Sequence, residues 1–304
     1  MEHQHQSAIS TKTQVRLAIA VLITLGFACV EYYVGLISNS LALMADSAHM
    51  AVDSIGLLLA FIAAYLSTKP ATNTFTYGFG RIQMLAALIN LILLSVVIIH
   101  ILVDAFHRFS NTLEVNIHQM APVALFGLII NVVIYFVLRD KNSTTNMKAA
   151  QLHVLGDMIG SMGALVGAAI IYFTQWHIVD PIVSIFICII LTRMTVKLAK
   201  RVLHQATDGV PPGIDIEDVT KVILACDDTL VNIHDIHIWQ SCDKYISLTA
   251  HVETTKLNSE WNNILYKIHT DLIPFNITHI TIQPEFMGGY CNLMENIKEE
   301  SHAN

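Results

Sequence analysis

Six stretches of this 304-residue chain are long and apolar enough to cross a lipid bilayer, and that limits the fold more than any other feature. A spanning helix needs about 20 mainly apolar residues. Val15–Leu36, Leu41–Leu66, Ile82–Phe106, Met120–Leu138, Ala149–Phe173 and Ile178–Leu198 satisfy that length. Composition agrees: 54% of residues are hydrophobic and 13% are charged, against about 25% charged in soluble domains. The net charge of −7 reflects acidic residues that fall mostly after residue 205. No basic tract suggests nucleic-acid binding.

The connections between spans are short. Residues 36–40, 107–119 and 174–177 lie on one side, and residues 67–81 and 139–148 on the other, with the N-terminus and everything after 198. The second set carries Lys12, Arg16, Lys69, Arg81, Arg139, Lys141, Lys148, Lys197, Lys200 and Arg201, whereas the first carries only Arg108. Cytoplasmic loops collect Lys and Arg, so both termini are expected in the cytoplasm. The polar N-terminus does not read as a cleavable signal peptide. Cys29, Cys188, Cys226, Cys242 and Cys291 form no CxxC pair, which argues against a disulfide framework and for reduced thiols.

After residue 200 the texture changes. Asp208–Gly213 is a turn-rich linker, Asp215–Asp227 has helical periodicity, and Val231–Trp239 reads as a strand. Lys244–Glu253 reads as a second strand, Leu257–Leu272 as an amphipathic helix and Ile277–Phe286 as a third strand. The expected architecture is a membrane all-α six-helix bundle followed by a small cytoplasmic α+β domain of ferredoxin-like αββαβ type. In domain terms, residues 1–14 are an N-terminal tail, 15–200 the membrane domain, 201–213 a linker, 214–287 the cytoplasmic domain and 288–304 a polar tail.

The chemistry sits in two repeated pairs. His49-Met-Ala-Val-Asp53 falls in the second span and His153-Val-Leu-Gly-Asp157 in the fifth. Residues four apart share a helix face, so two facing helices would supply two imidazoles and two carboxylates. That is a tetrahedral set suited to Zn²⁺, whereas an all-oxygen set would suit Mg²⁺, Ca²⁺ or Mn²⁺. A carboxylate at mid-span costs roughly 2.5–3.5 kcal/mol on insertion scales, so it commonly marks an ion path. The bland alternative is a pair of interhelical hydrogen bonds, and two identical pairs on separate helices argue against it. Asp46, one turn before His49, reads as a group orienting that imidazole, with a helix-end residue near the outer face as the alternative. His100 and Asp104 form a third pair, near the outer interface, where a polar helix end is a simpler reading than an exit-side metal site. Glu31, Asn90 and Asn131 are explained by packing and cavity lining. Gly156, Gly160, Gly163 and Gly167 suit close helix approach.

The segment Asn39-Ser-Leu-Ala-Leu-Met-Ala-Asp46-Ser-Ala-His49-Met-Ala-Val-Asp53 resembles the second-helix signature of the cation diffusion facilitator family. Tyr77-Gly-Phe-Gly-Arg81, His153-Val-Leu-Gly-Asp157, His234-Asp-Ile-His237-Ile-Trp239 and Ser247-Leu-Thr-Ala-His251-Val resemble further motifs of that family, and the likeness spans roughly residues 15–286. The resemblance implies a homodimer in membrane lipid that exchanges cytoplasmic Zn²⁺ for protons, with Cd²⁺ and Co²⁺ as further substrates. It implies residence in a bacterial inner membrane or its equivalent, and a cytoplasmic domain that binds a regulatory Zn²⁺ and tightens the dimer. His49, Asp53, His153 and Asp157 match the family's transport site, in its zinc-selective two-His two-Asp form. His234 and His251 match its cytoplasmic ligands, with His237 and Glu285 as further candidates.

Three departures qualify the match. Lys69–Gly80 and Arg139–Lys148 lack the histidines of some relatives, and Gln283 and Glu285 stand where some relatives have His and Asp. Cys242 and Cys291 are also within the cytoplasmic part, and His3-Gln-His5 is a weak metal signal. An intramembrane zinc enzyme is disfavoured, because no His-Glu-x-x-His motif occurs in the spans and four ligands leave no open position. A sensor or channel without coupled transport would differ in the proton-gradient dependence of flux.

Overall fold

The computed structural model describes residues 11–138, 145–242, 245–255 and 261–286. Within these, the side chains of 11–18, 20, 138, 145–153, 242 and 286 lie outside the described set. The chain divides into two units, Met1–Ile62 with Ala86–Ala199, and Ala63–Leu85 with Lys200–Asn304.

The first unit is helical. Its helices are α1 (Thr11–Ile37), α2 (Leu41–Ser67), α3 (Ile82–Ser110), α4 (Ile117–Leu138), α5 (Thr145–Thr174) and α6 (Val179–Ala206), with the last turns of α2 and α6 and the first turn of α3 falling in the second unit. Helices α2 to α6 carry enough apolar length to cross a bilayer, while the described apolar stretch of α1 is Val21–Ile37, short of that length. Several helices outrun their apolar cores. Helix α6 continues through Lys197, Lys200 and Arg201 to Ala206, because straight-chain residues hold helix well and no Gly or Pro intervenes.

Small and branched side chains of α2, α3 and α6 interlock in one buried cluster that includes Ala45, Val52, Ile98, Ile101 and Leu191. A second joins α2, α4, α5 and α6 through Leu43, Met120, Ala164 and Ile171. The outward faces are apolar too, with Phe61, Ile99, Phe126 and Phe173 exposed, as a surface solvated by lipid requires.

One polar knot ties the bundle where α2 begins. Asn39 takes a left-handed backbone at φ 56°, which turns the chain from α1 into α2. Asp180, fully buried at the start of α6, accepts from Ser40 Oγ at 2.7 Å and from the backbone N–H of Leu41 at 2.7 Å and Ala42 at 3.3 Å. Arg108 of α3 lies 3.5 Å from the same carboxylate and donates to the Asn39 carbonyl. A carboxylate from another helix thus caps the positive end of α2, where orphan N–H groups need acceptors.

The second unit contains α7 (Ile216–Leu224), β1 (Leu230–Cys242), β2 (Tyr245–Thr254), α8 (Trp261–Asp271) and β3 (Ile277–Phe286). The sheet order is β1-β2-β3, with β1 antiparallel to β2 and β2 parallel to β3. The parallel pair needs a crossover, and α8 supplies it. Asp215 caps α7 by accepting from Glu217 N. Val219 and Ile223 of α7 and Ile264 and Ile268 of α8 bury against Leu248, Ala250 and Val252 of β2. Because strand side chains alternate, Thr249, His251 and Glu253 then face away from that core.

Candidate metal centres

In the helical unit, His49 and Asp53 sit one turn apart on α2, and Asp157 reaches them from α5. His49 Nε2 is 3.3 Å from Asp53 Oδ2 and 3.7 Å from Asp157 Oδ1. His49 is 6% exposed and Asp157 2%, both deep in the bundle. Ligands about 2.0–2.2 Å from a tetrahedral Zn²⁺ stand roughly 3.3–3.6 Å from one another, so this spacing suits a shared cation. The backbone of His153 lies on α5 one turn before Asp157, but its side chain is outside the described residues.

The close approach of α2 and α5 has a visible cause. A Cβ at Gly160 would collide with the Asp46 carboxylate, so glycine is what lets Asp46 rest on α5. Asp46 accepts from Ser161 Oγ at 2.8 Å, and Asn131 of α4 donates to the same hydroxyl at 3.4 Å. The sequence reading gave Asp46 to His49; the structure engages it with Ser161 of α5. Gly163 and Gly167 face Val183 of α6, whereas Gly156 meets nothing within 4 Å.

Glu31 of α1 is fully buried, and neither carboxylate oxygen has a hydrogen-bond partner among the described residues. It lies within electrostatic reach of Asp46 and Asp157, which packing alone does not explain. The His100–Asp104 pair is at 3.8 Å with His100 69% exposed, apart from the buried cluster.

The second cluster lies on the outer face of the sheet. His234 and His251 are cross-strand partners, their rings 5.4 Å apart. Glu285 of β3 is buried between them, 2.8 Å from His251 Nδ1 and 3.3 Å from His234 Nε2. Gln283 donates to Glu285 at 2.9 Å. A bulge between His234 and His237 puts Asp235 at φ 50°. That turn brings its carboxylate 3.1 Å from His237 Nε2 and 3.8 Å from His251 Nε2. His237 is therefore paired with Asp235, outside the His234–His251–Glu285 group. Sequence reasoning missed Asp235 and Glu253, the latter 4.0 Å from His234; strand alternation of Glu253 with His251 was the available signal. Cys242, Cys291, His3 and His5 lie outside the described side chains.

Beneath the sheet, burial and a nearby carboxylate push the Cys226 thiol up to about 11. Cys226 Sγ donates to the Val222 carbonyl at 3.2 Å and to Asp271 at 3.5 Å. Asp227 is held below the usual carboxylate range by the Thr229 hydroxyl and N–H that it accepts.

A family profile described as the cation efflux transmembrane domain matches residues 17–205, and one described as the cation efflux protein cytoplasmic domain matches 211–286. These matches and the five bilayer-length helices define a multi-pass integral membrane protein, a transporter and not an enzyme. The chain belongs to the cation efflux, or cation diffusion facilitator, family. It is 35% identical over 290 residues to the cadmium, cobalt and zinc/H⁺-K⁺ antiporter of Bacillus subtilis, covering 94% of this chain and 92% of that protein. It is 34% identical over 312 residues to the zinc transporter ZitB of Escherichia coli, covering 99% of each. It is 36% identical over 286 residues to the metal cation efflux system protein CzcD of Cupriavidus metallidurans, covering 93% of this chain and 89% of that protein.

Proposed function

We propose that this protein carries Zn²⁺ out of the cytoplasm in exchange for protons, through a site formed by His49, Asp53, His153 and Asp157 between α2 and α5. The convergence of His49, Asp53 and Asp157 in the buried interior of the bundle carries the reading. Metal binding needs neutral imidazole and ionised carboxylate, and histidine titrates near neutral pH. Protons and metal then compete for one set of atoms, which is the minimum an exchanger needs. Cd²⁺ and Co²⁺ fit the same ligand set, and relatives named for zinc, cadmium, cobalt, H⁺ and K⁺ support the substrate class.

In this reading all six helices span an inner membrane or its equivalent, with both termini cytoplasmic. Residues 15–200 form the membrane domain, 201–213 the linker and 214–287 a ferredoxin-like domain through which two copies pair in a homodimer. His234, His251 and Glu285 hold a regulatory Zn²⁺ there, and their distances to one another support this. Purified protein in proteoliposomes with an imposed pH gradient tests the function. Zn²⁺ should move against the proton flow, and His49→Ala and Asp157→Ala should each abolish flux and remove one bound Zn²⁺. Full flux in both variants would overturn the assigned site.

A further inference from the structure

The carboxylates of the bundle outnumber what one divalent metal neutralises. Glu31, Asp46 and Asp157 are buried and within electrostatic reach of one another, and half-buried Asp53 joins them through His49. A Zn²⁺ on His49, Asp53 and Asp157 cancels the charge of Asp53 and Asp157. Glu31 and Asp46 remain. Helices α2 and α4 contain no Lys or Arg, and Lys12, Arg16 and Lys148 of α1 and α5 fall within the first two turns of those helices. An uncompensated buried carboxylate is costly. Glu31 makes the point sharply: it is 0% exposed and both its oxygens lack a hydrogen-bond partner among the described residues. Asp46 and Asp157 lie within electrostatic reach and repel it.

We propose that Glu31 and Asp46 form a second cation site, separate from the metal ligands, that holds the monovalent counter-cation of the exchange. The inference rests on the metal site read above and adds where the returning charge sits. The donors are oxygens only: the two Glu31 oxygens, the Asp46 carboxylate and the Ser161 hydroxyl that already touches it. Such a set suits a proton or an alkali ion and lacks the imidazole that favours Zn²⁺. Ser161 of α5 donates to Asp46, Asn131 of α4 donates to Ser161, and Asp157 of α5 acts on both Glu31 and Asp46 through space. A Zn²⁺ arriving on Asp157 repels a cation held by Glu31 and Asp46, and its departure draws one back. That repulsion across a low-dielectric interior adds to the direct competition of protons and metal for the ligand atoms.

The test is calorimetry of Zn²⁺ binding to the detergent-purified full chain in buffers of different ionisation enthalpy, repeated with K⁺ replaced by choline. Wild type should release cation on binding Zn²⁺. Glu31→Gln, nearly isosteric, should bind the same number of Zn²⁺ at the transport site. It should lose about one released proton per metal, or, if the counter-cation is K⁺, lose the K⁺ dependence of Zn²⁺ affinity. Asp46→Asn should do the same and covers the case in which the first variant fails to fold. In proteoliposomes both variants should lose their response to the corresponding gradient. Unchanged proton release together with unchanged K⁺ dependence in a folded variant would overturn the proposal. So would loss of Zn²⁺ stoichiometry in Glu31→Gln, which would make Glu31 a metal ligand. Normal Zn²⁺ binding by Asp157→Asn would instead refute the metal site, whatever Glu31 does.

Discussion

Replacing Asp180 with alanine removes the acceptor of Ser40 Oγ and of the Leu41 and Ala42 amides, and leaves Arg108 beside an empty wall. The carboxylate is fully buried and the Arg108 side chain 14% exposed, so little solvent can take over. Breaking a buried ion pair from one side costs about 3–5 kcal/mol, against a total stability of about 5–15 kcal/mol for a typical fold. Asp180→Asn keeps one acceptor oxygen and loses the charge; about 1–2 kcal/mol is expected. Arg108→Ala should cost less than Asp180→Ala, because the carboxylate keeps three hydrogen bonds. The double variant should cost less than the sum of the singles by about 1 kcal/mol or more. Equilibrium unfolding in mixed micelles, titrated with a denaturing detergent, measures these differences. Since α2 carries His49 and Asp53, Zn²⁺ affinity should fall alongside stability in Asp180→Ala. A loss below about 0.5 kcal/mol, or strict additivity with Arg108→Ala, would refute the view that this knot anchors α2.

Gly160→Ala forces a methyl into the Asp46 carboxylate and should cost about 1–3 kcal/mol and most Zn²⁺ flux. Gly156→Ala, with nothing within 4 Å, should gain about 0.5–1 kcal/mol and keep flux; thermal denaturation and flux assays separate the two. Cys226 should resist alkylation at pH 8: with its thiol pushed up to about 11, the thiolate fraction there is about 10⁻³, against about a quarter for an ordinary thiol. The sign of the linkage is that the raised folded value gives stability fully present below the unfolded thiol value and lost as pH climbs towards about 11; mass-spectrometric labelling and alkaline unfolding check both. The His234→Ala/His251→Ala double variant should lose one bound Zn²⁺ by calorimetry yet keep gradient-driven flux, and abolished flux in folded protein would make that cluster part of the transport path.

Much of the fold was legible because two periodicities dominate this chain. Apolar runs of bilayer length announced the helices, and alternation announced β1 to β3, where Ile277–Phe286 emerged with the expected limits. Helix ends were less legible. Helix α3 runs to Ser110 and α6 to Ala206, past the apolar boundary at Phe106 and Leu198, because backbone hydrogen bonding does not stop where hydrophobicity does. Conversely, Asp215–Asp227 shortens to Ile216–Leu224, since Asp227 turns back to accept from Thr229. The spacing of His49 and Asp53 gave a shared face at once. The Asp180 knot was invisible, because Ser40 and Asp180 are 140 residues apart and neither belongs to a periodic pattern. Glu31 was visible as a polar residue in an apolar helix, but its lack of partners is a tertiary fact. The Asp235 bulge was hidden for a related reason: two residues of β1 oppose one of β2, and strict alternation cannot announce where that happens.

The two clusters differ in the one respect that decides what each is good for. In the sheet, two imidazoles flank one buried carboxylate, and His234 and His251 keep 30% and 24% of their side chains exposed. Water can solvate that group when no metal is bound, so an empty site there costs the fold little. In the bundle, His49 and Asp157 are nearly closed off and carboxylates are in excess. The excess pulls a divalent cation in strongly, since attraction between charges grows as the surrounding dielectric falls. The same excess would hold the metal indefinitely if nothing replaced its charge, and a carrier that never releases does not transport. On the proposed transport reading, release is coupled to arrival of another cation near the same carboxylates. In the proposed exchange, strictness then follows from burying more negative charge than the cargo can neutralise.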